Sequence, residues 1–330
     1  MSYKFGIIGG GSWATALVKI LQENNQQVNW WMRSIDQIHH ISKHNKNPKY
    51  LSSVSIKLSN LLLTDNIKEL IDSSDVLIIA TPSAFIHEIF NKIENKDLVN
   101  KLIISAVKGI IPQTNQLPAI YFRDQFKIKL EKLLIISGPC HAEEVAMEKL
   151  SFLTVACTDL NKANNIADII KSRYIKATVT NDLQGVELSS VLKNVYAVAA
   201  GMCSGLGYGD NYIAVLISNC IRELEFIVNN IYPNSNNIVD TAYLGDLLVT
   251  AYSQHSRNRR FGVMIGKGYS VKASQMEMKM VAEGYYATKC IEVLNNEHSI
   301  NAPIAKAMYH ILYEKIAPKV EIKILSDLMH

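Results

Sequence analysis

Two textures of hydrophobic patterning divide the chain. Up to about Thr180, short apolar and β-branched runs alternate with segments whose apolar positions recur at helical spacing. The runs Lys4 to Ile8, Gln27 to Met32, Val76 to Ala80, Lys101 to Ser105, Leu133 to Ile136 and Ser151 to Ala156 predict strands. Ser12 to Glu23, with Ala16, Leu17, Ile20 and Leu21 on one face, predicts the helix crossing between the first two. Repeated strand, helix, strand units of this kind predict a doubly wound, mostly parallel sheet covered by helices. Residues 161–182 hold the last helix and strand of this part. Beyond them the pattern turns helical throughout, over 184–204, 211–231, 237–252, 257–267, 273–296 and 302–317. The expected architecture is an α/β domain over 1–183 followed by an all-α domain over 184–330. No long linker separates them, so they are expected to pack closely around a cleft.

Composition narrows the class of protein. With 330 residues, 48% apolar and 19% charged, the chain is an ordinary folded one, long enough for two cores. Lys and Arg number 34 against 30 Asp and Glu, a net charge of +4, and the basic residues are scattered. That distribution argues against a nucleic-acid surface. Five cysteines without a Cys-x-x-Cys pair fit a reducing compartment and no structural zinc. The apolar run at Phe5 to Ile8 stops at three glycines, unlike a signal peptide. The longest uncharged stretch, Asn194 to Gly209, is broken by glycines. A cytoplasmic protein without stable membrane insertion is expected; a homodimer is left as an open expectation.

The first candidate chemistry lies directly after the first strand. Gly9-Gly10-Gly11-Ser12-Trp13-Ala14 fits Gly-x-Gly-x-x-Gly/Ala and opens a helix, the context a dinucleotide fingerprint requires. Gly9 permits the tight turn, Gly11 lets a pyrophosphate approach the backbone, and Ala14 lets the helix pack on the strand. The phosphates would meet free N–H groups at the positive end of that helix. The blander reading is a turn that only connects strand and helix; the βαβ context favours a Rossmann-type NAD(P) site. At the end of the second strand stands Arg33-Ser34 in place of the acidic residue that usually holds the ribose of NAD. A guanidinium and a hydroxyl suit a 2′-phosphate, so NADP is favoured and NAD left open, as is a merely solvated arginine.

Several further segments give the chain a resemblance. Gly9 to Leu17, Asn47 to Leu51, Ala80 to Ser83, Ala106 to Gly109, Ser137 to Ala142, Leu192 to Val195, Gly205 to Asn211, Leu244 to Leu247, Ser256 to Gly262 and Glu283 to Tyr285 carry it over nearly the whole length. Together they resemble the bacterial NAD(P)-dependent glycerol-3-phosphate dehydrogenase family. The resemblance implies reversible hydride transfer between NAD(P)H and dihydroxyacetone phosphate, giving sn-glycerol 3-phosphate for phospholipid synthesis. It implies Lys193 as the catalytic acid/base, and places Lys108, Gly138, Asp246, Ser256, Arg257 and Asn258 at the substrate. It places Ser12, Trp13, Arg33, Lys108, Ala142, Arg257, Val281 and Glu283 at the cofactor. Cys140-His141 stands where the family more often has Ser or Thr followed by Phe, which leaves the substrate contact at Cys140 in doubt.

The residue types agree with that chemistry. Reduction of a ketone builds negative charge on oxygen and needs a nearby proton donor. On its predicted helix Lys193 shares a face with the small residues Ser189, Ser190, Ala197 and Ala200, which leave room for a ligand or a second backbone. An ordinary lysine is a sluggish base, so burial and a neighbouring cation such as Lys108 would have to lower its pKa. Taken alone, Lys193 would read as a helix-surface lysine reaching water. Asp246 could orient its ammonium or bind a substrate hydroxyl. Ser256-Arg257-Asn258 opens a predicted helix and suits the substrate phosphate; without the resemblance it would read as a capped helix start. Cys140 and His141 are adjacent in sequence and make no nucleophile pair, and His39, His40 and His44 show no metal pattern. Two alternatives are kept: a dehydrogenase of similar build acting on another hydroxy acid, and a non-catalytic NAD(P)H sensor.

Overall fold

The computed structural model describes residues 3–233, 237–278 and 282–329. They divide into two compact units: 3–107 with 116–183, and 108–115 with 184–329. The boundary read from sequence, at 183/184, lacks one feature. Residues 108–115, which follow the fifth strand, group with the helical unit.

The first unit is built on eight strands: β1 (Lys4–Ile8), β2 (Gln27–Trp31), β3 (Leu61–Thr64), β4 (Val76–Ile79), β5 (Leu102–Ser105), β6 (Leu133–Ser137), β7 (Ser151–Ala156) and β8 (Ile175–Thr180). Their order in the sheet is β3-β2-β1-β4-β5-β6-β7-β8. The first six strands run parallel in the doubly wound order that reverses direction beside β1. Only β7 runs antiparallel to its neighbour β6, while β8 follows β7 in parallel. All four residues of β4 are buried, the mark of a strand covered on both faces. Eight helices accompany the sheet: α1 (Ser12–Glu23), α2 (Ile35–His44), α3 (Ile67–Asp72), α4 (Ile86–Phe90), α5 (Asn95–Leu98), α6 (Pro118–Phe126), α7 (Ala142–Ala146) and α8 (Leu160–Ile170). Strand β3 was not expected from the pattern. It is a four-residue edge strand with Leu62 exposed, too short and too little buried to announce itself.

The regular elements of the second unit are helices among its described residues. It comprises α9 (Leu183–Gly205), α10 (Asp210–Ile231), α11 (Asp246–Tyr252), α12 (Arg257–Gly266), α13 (Val271–Glu277), α14 (Glu283–Glu297), α15 (Pro303–Leu312) and α16 (Pro318–Ser326). Every residue from 185 to 203 is buried, so α9 is an internal helix, covered on all sides, its polar Glu187, Lys193 and Asn194 included. Its Gly201 and Gly205 face carbonyl oxygens of Arg259 and Val263 on α12, and Gly262 and Gly266 of α12 face those of Val198 and Met202. A Cβ at any of the four would lie 2.0 to 2.4 Å from one of these oxygens. The two backbones therefore approach as only glycine permits.

Two helices expected as single pieces are divided. In the span 237–252, residues 237–240 are not helical and a π-helical turn, Thr241–Gly245, precedes α11, a local widening that often accompanies a functional site. The span 273–296 contains both α13 and α14, because Met278 leaves the helix in an extended conformation at φ −83° and ψ 119°. Helix α16 extends the fold past the last expected helix.

Candidate active site

The glycine turn follows β1 at the carboxyl edge of the sheet. Gly9 has φ 130°, and a Cβ there would lie 2.5 Å from the Ala80 carbonyl oxygen at the end of the adjacent β4. The Trp30 indole N–H donates to the Gly9 carbonyl at 2.6 Å. Gly11 is the N-cap of α1, and a Cβ on it would meet no atom within 4 Å. Ser12 and Trp13 form the first turn of α1, and Ala14 is fully buried behind them. Room beside Gly11 at the N-terminus of a 12-residue helix suits a pyrophosphate, which needs close backbone approach and N–H donors, so the turn fits a dinucleotide.

Arg33 follows β2 at the same edge. Its guanidinium carbon lies 5.2 Å from the centre of the Phe85 ring, a cation–π contact that orients the side chain. The sequence reading singled out no role for Phe85; the one available signal was its place just after the Ala80 to Ser83 segment. The Ser34 hydroxyl accepts from Gln37 N–H as the N-cap of α2. At the end of β6, Gly138 has φ 119°, Cys140 is buried, and Ala142 begins α7.

The second unit assembles the charged groups. Lys193, from the middle of α9, places its ammonium on Oδ1 of Asp246, the first residue of α11. Lys108 reaches Oδ2 of the same carboxylate at 3.3 Å. The side chains of Lys193 and Asp246 are 3% and 1% exposed, and that of Lys108 25%. Burial drives the Lys193 pKa well below the ordinary lysine value; Asp246 opposes the shift and the charge of Lys108 adds to it. Burial pushes the Asp246 carboxyl up, but Lys108 and Lys193 more than offset this, so its pKa is lowered.

An amide chain braces this centre. Asn194, next to Lys193, donates to the Lys108 carbonyl at 2.6 Å and accepts from the Asn258 amide at 2.8 Å. Asn258 in turn accepts from Gly284 N–H at 2.9 Å. Sequence reasoning gave Asn194 no role, although it stands inside the Leu192 to Val195 segment. Ser256 caps α12, its hydroxyl accepting from Arg259 N–H, and Arg257 is exposed at the first position of that helix. Glu283 opens α14 as a partly exposed residue, while Val281 lies outside the described residues. The structure thus brings together Lys108, Lys193 and Asp246, and links Asn258 to them through Asn194.

Known proteins share both halves. Residues 4–163 match the N-terminus of NAD-dependent glycerol-3-phosphate dehydrogenase, and residues 182–323 its C-terminus. A relative from Clostridium botulinum (strain Eklund 17B / Type B), glycerol-3-phosphate dehydrogenase (NAD(P)+), is 32% identical over 97% of this chain and 96% of its own. The protein of that name from Exiguobacterium sp. (strain ATCC BAA-1283 / AT1b) is 33% identical over 96% of this chain and 93% of its own. The chain belongs to the NAD(P)-dependent glycerol-3-phosphate dehydrogenase family. A crystal structure of the glycerol-3-phosphate dehydrogenase from Coxiella burnetii superposes with a TM-score of 0.90 at 26% identity, covering 98% of each chain. The family's two-part build, a Rossmann-type sheet followed by a helical unit, is the one described above, and membership makes the chain an oxidoreductase dependent on NAD or NADP. No helix among the described residues is long and apolar enough to cross a membrane.

Proposed function

We propose that the lysine and carboxylate centre handles the proton in a reversible reduction of dihydroxyacetone phosphate to sn-glycerol 3-phosphate. The observation that carries this reading is the convergence of two ammonium groups on one buried carboxylate. The nicotinamide, when bound, gives or takes the hydride. As the ketone is reduced its oxygen becomes anionic, and Lys193 in its ammonium form is the donor that protonates it. Because burial has weakened its hold on the proton, Lys193 gives it up readily and, as the neutral amine, takes one from the alcohol in reverse. Asp246 holds Lys193 through one oxygen and Lys108 through the other, fixing the donor against a second cation. With both lysines protonated the trio carries one net positive charge, complementary to the developing oxyanion. After Lys193 has given up its proton the trio is neutral, and so is the product hydroxyl.

For the substrate phosphate, Arg257 offers an exposed guanidinium at the start of α12, where the helix end is also positive. Asn258 contributes from beside it, since an amide nitrogen carries two hydrogens and its bond to Asn194 uses one. In the sheet unit, the reading assigns Gly9, Gly11, Ser12, Trp13 and Ala14 to the pyrophosphate turn, Arg33 to the adenosine ribose side, and Ala142 to the cofactor. Gly138 and Cys140 are assigned to the substrate. The enzyme is placed in the cytoplasm, a setting supported by five unbridged, buried cysteines, and supplies glycerophospholipid synthesis.

The test is the fall in nicotinamide absorbance when purified protein meets dihydroxyacetone phosphate, with NADPH and NADH side by side. Rapid oxidation is expected, together with its loss when dihydroxyacetone replaces the phosphate ester. Cofactor binding without oxidation would sink the reading.

A further inference from the structure

Two amide side chains with no part in the reaction are buried behind the glycine turn. Asn47 is 0% exposed and Gln37 6%. A buried amide is costly unless its hydrogen bonds are met, so their destinations are informative. Gln37 Nε2 donates to the Gly10 carbonyl at 2.7 Å and to Asn47 Oδ1 at 3.0 Å. Asn47 Nδ2 donates to the same Gly10 carbonyl at 3.2 Å and to the Thr15 hydroxyl at 2.9 Å. The Thr15 hydroxyl passes its own hydrogen to the Gly11 carbonyl at 2.9 Å. Asn47 is itself fixed, because Oδ1 also accepts from the N–H groups of Lys49 and Tyr50 at 3.1 and 3.3 Å.

Three of these bonds, from Gln37, Asn47 and Thr15, end on carbonyl oxygens of the turn. In a planar trans peptide the N–H points opposite to the C=O. The peptide whose oxygen belongs to Gly10 carries the N–H of Gly11, so pulling that oxygen inward aims the Gly11 N–H outward. Three consecutive glycines are the most flexible tripeptide available, and a peptide between two of them can rotate at little steric cost. A rotated peptide would turn a carbonyl oxygen, in place of an N–H, toward an anion. Gly10 lacks a side chain because the clamp occupies its place: a Cβ there would lie 2.9 Å from Gln37 Oε1.

We propose that Asn47 and Gln37 form a carbonyl clamp that holds the Gly10–Gly11 peptide in the orientation needed to donate to the cofactor pyrophosphate. They are positioning residues for NAD(P). The inference rests on the reading of the glycine turn as the cofactor site. Gln37 also lies on α2, whose N-cap Ser34 follows Arg33, so one helix both anchors the turn and presents the arginine.

The experiment compares the full-length protein with Gln37→Met, Asn47→Ala and Gly11→Val. It measures NADH and NADPH dissociation constants by calorimetry, thermal unfolding without cofactor, and kcat with KM at saturating partner substrate. Gln37→Met keeps the side-chain volume but removes the donor. It is expected to raise both dissociation constants at least fivefold, and Asn47→Ala at least tenfold. The two cofactors should lose equally because they share the pyrophosphate, while kcat at saturating cofactor stays within threefold. A lowered unfolding temperature with both dissociation constants within twofold of wild type would overturn the clamp, leaving the amides as core structure. If Asn47→Ala does not fold, Gln37→Met decides alone. Gly11→Val has room to fold and should block binding. Normal binding by that variant would overturn the site itself, whereas blocked binding beside normal Gln37→Met and Asn47→Ala proteins would overturn the clamp only.

Discussion

The Lys193 ammonium rests on one oxygen of Asp246, and both side chains are almost wholly removed from water. Their residues are 53 positions apart in the chain and come from the middle of α9 and the start of α11. A buried charge without a partner would cost several kcal/mol. The pair, extended by Lys108, gives each buried charge a partner, while burial leaves the lysine proton loosely held.

Replacing Lys193 by Met removes the proton donor and leaves Asp246 paired with Lys108. A general acid contributes on the order of 10²–10⁴ in rate. Turnover of Lys193→Met should fall by about a thousandfold, with cofactor dissociation constants within twofold of wild type. Steady-state assay and cofactor titration of the same sample check this. Retention of more than a few per cent of activity would end the assignment.

The direction of the Lys193 shift fixes the pH response. Reduction needs the ammonium form, so its rate should fall as pH rises through the lowered pKa, at a pH below the ordinary lysine value of 10.5. Oxidation needs the neutral amine and should rise across the same limb. Asp246 attracts the proton to Lys193, so Asp246→Asn should move the limb to lower pH as well as slowing turnover. A limb that stays put or moves upward in kcat/KM profiles would contradict this account.

Arg33 separates the two cofactors. A hydrogen bond to a charged group is worth about 1.5–3 kcal/mol, or roughly ten- to a hundredfold in affinity. Arg33→Ala should weaken NADPH by about that factor and NADH by about threefold or less. Equal losses in parallel titrations would remove the reason for preferring NADP.

Close packing of α9 on α12 leaves no space at Gly201. A Cβ there would meet the Arg259 carbonyl oxygen at 2.0 Å, so Gly201→Ala must displace one helix. Overpacking of this kind costs about 1–3 kcal/mol. The expected result is a lowered denaturation midpoint together with reduced turnover, since α12 carries Arg257 and Asn258. Unchanged stability in urea unfolding would show that the helices can separate freely.

Glu223 on α10 caps α15 from a distance, accepting the N–H groups of Ile304 at 2.7 Å and Ala305 at 2.9 Å. Burial pushes its carboxyl up to about 7 from 4.5, against those two bonds. Between these values the folded protein keeps a proton that the unfolded chain releases. This group's contribution to stability therefore falls as pH rises from about 4.5 to about 7, by about 3 kcal/mol at most. The unfolding free energy of wild type relative to Glu223→Gln should decrease between pH 5 and pH 7.5. A difference independent of pH would refute the shift.

Much of this was legible in one dimension, for local reasons. Strands buried on both faces must be apolar along their length, so β1 and β4 could be read from Lys4 to Ile8 and near Val76 to Ala80. A strand turning tightly into a helix needs Gly9, and the resemblance of dispersed segments pointed to Lys193, Lys108 and Asp246. Short β3 and the division of 273–296 escaped, because a partly exposed edge and a short break that begins with extended Met278 leave little trace in periodicity.

Chain patterning by itself determined the two textures and the glycine turn, because these depend on neighbours a few positions away; the charged residues were named only through the resemblance of dispersed segments. Tertiary structure alone decided that Lys108, from the segment after β5, shares a carboxylate with Lys193. It alone showed that Asn258 is tied to Asn194 and Gly284, and that Asn47 and Gln37 grip the Gly10 carbonyl. Hydrogen bonds and pKa shifts depend on distance and burial in space, and residues tens of positions apart acquire both only when the chain has folded.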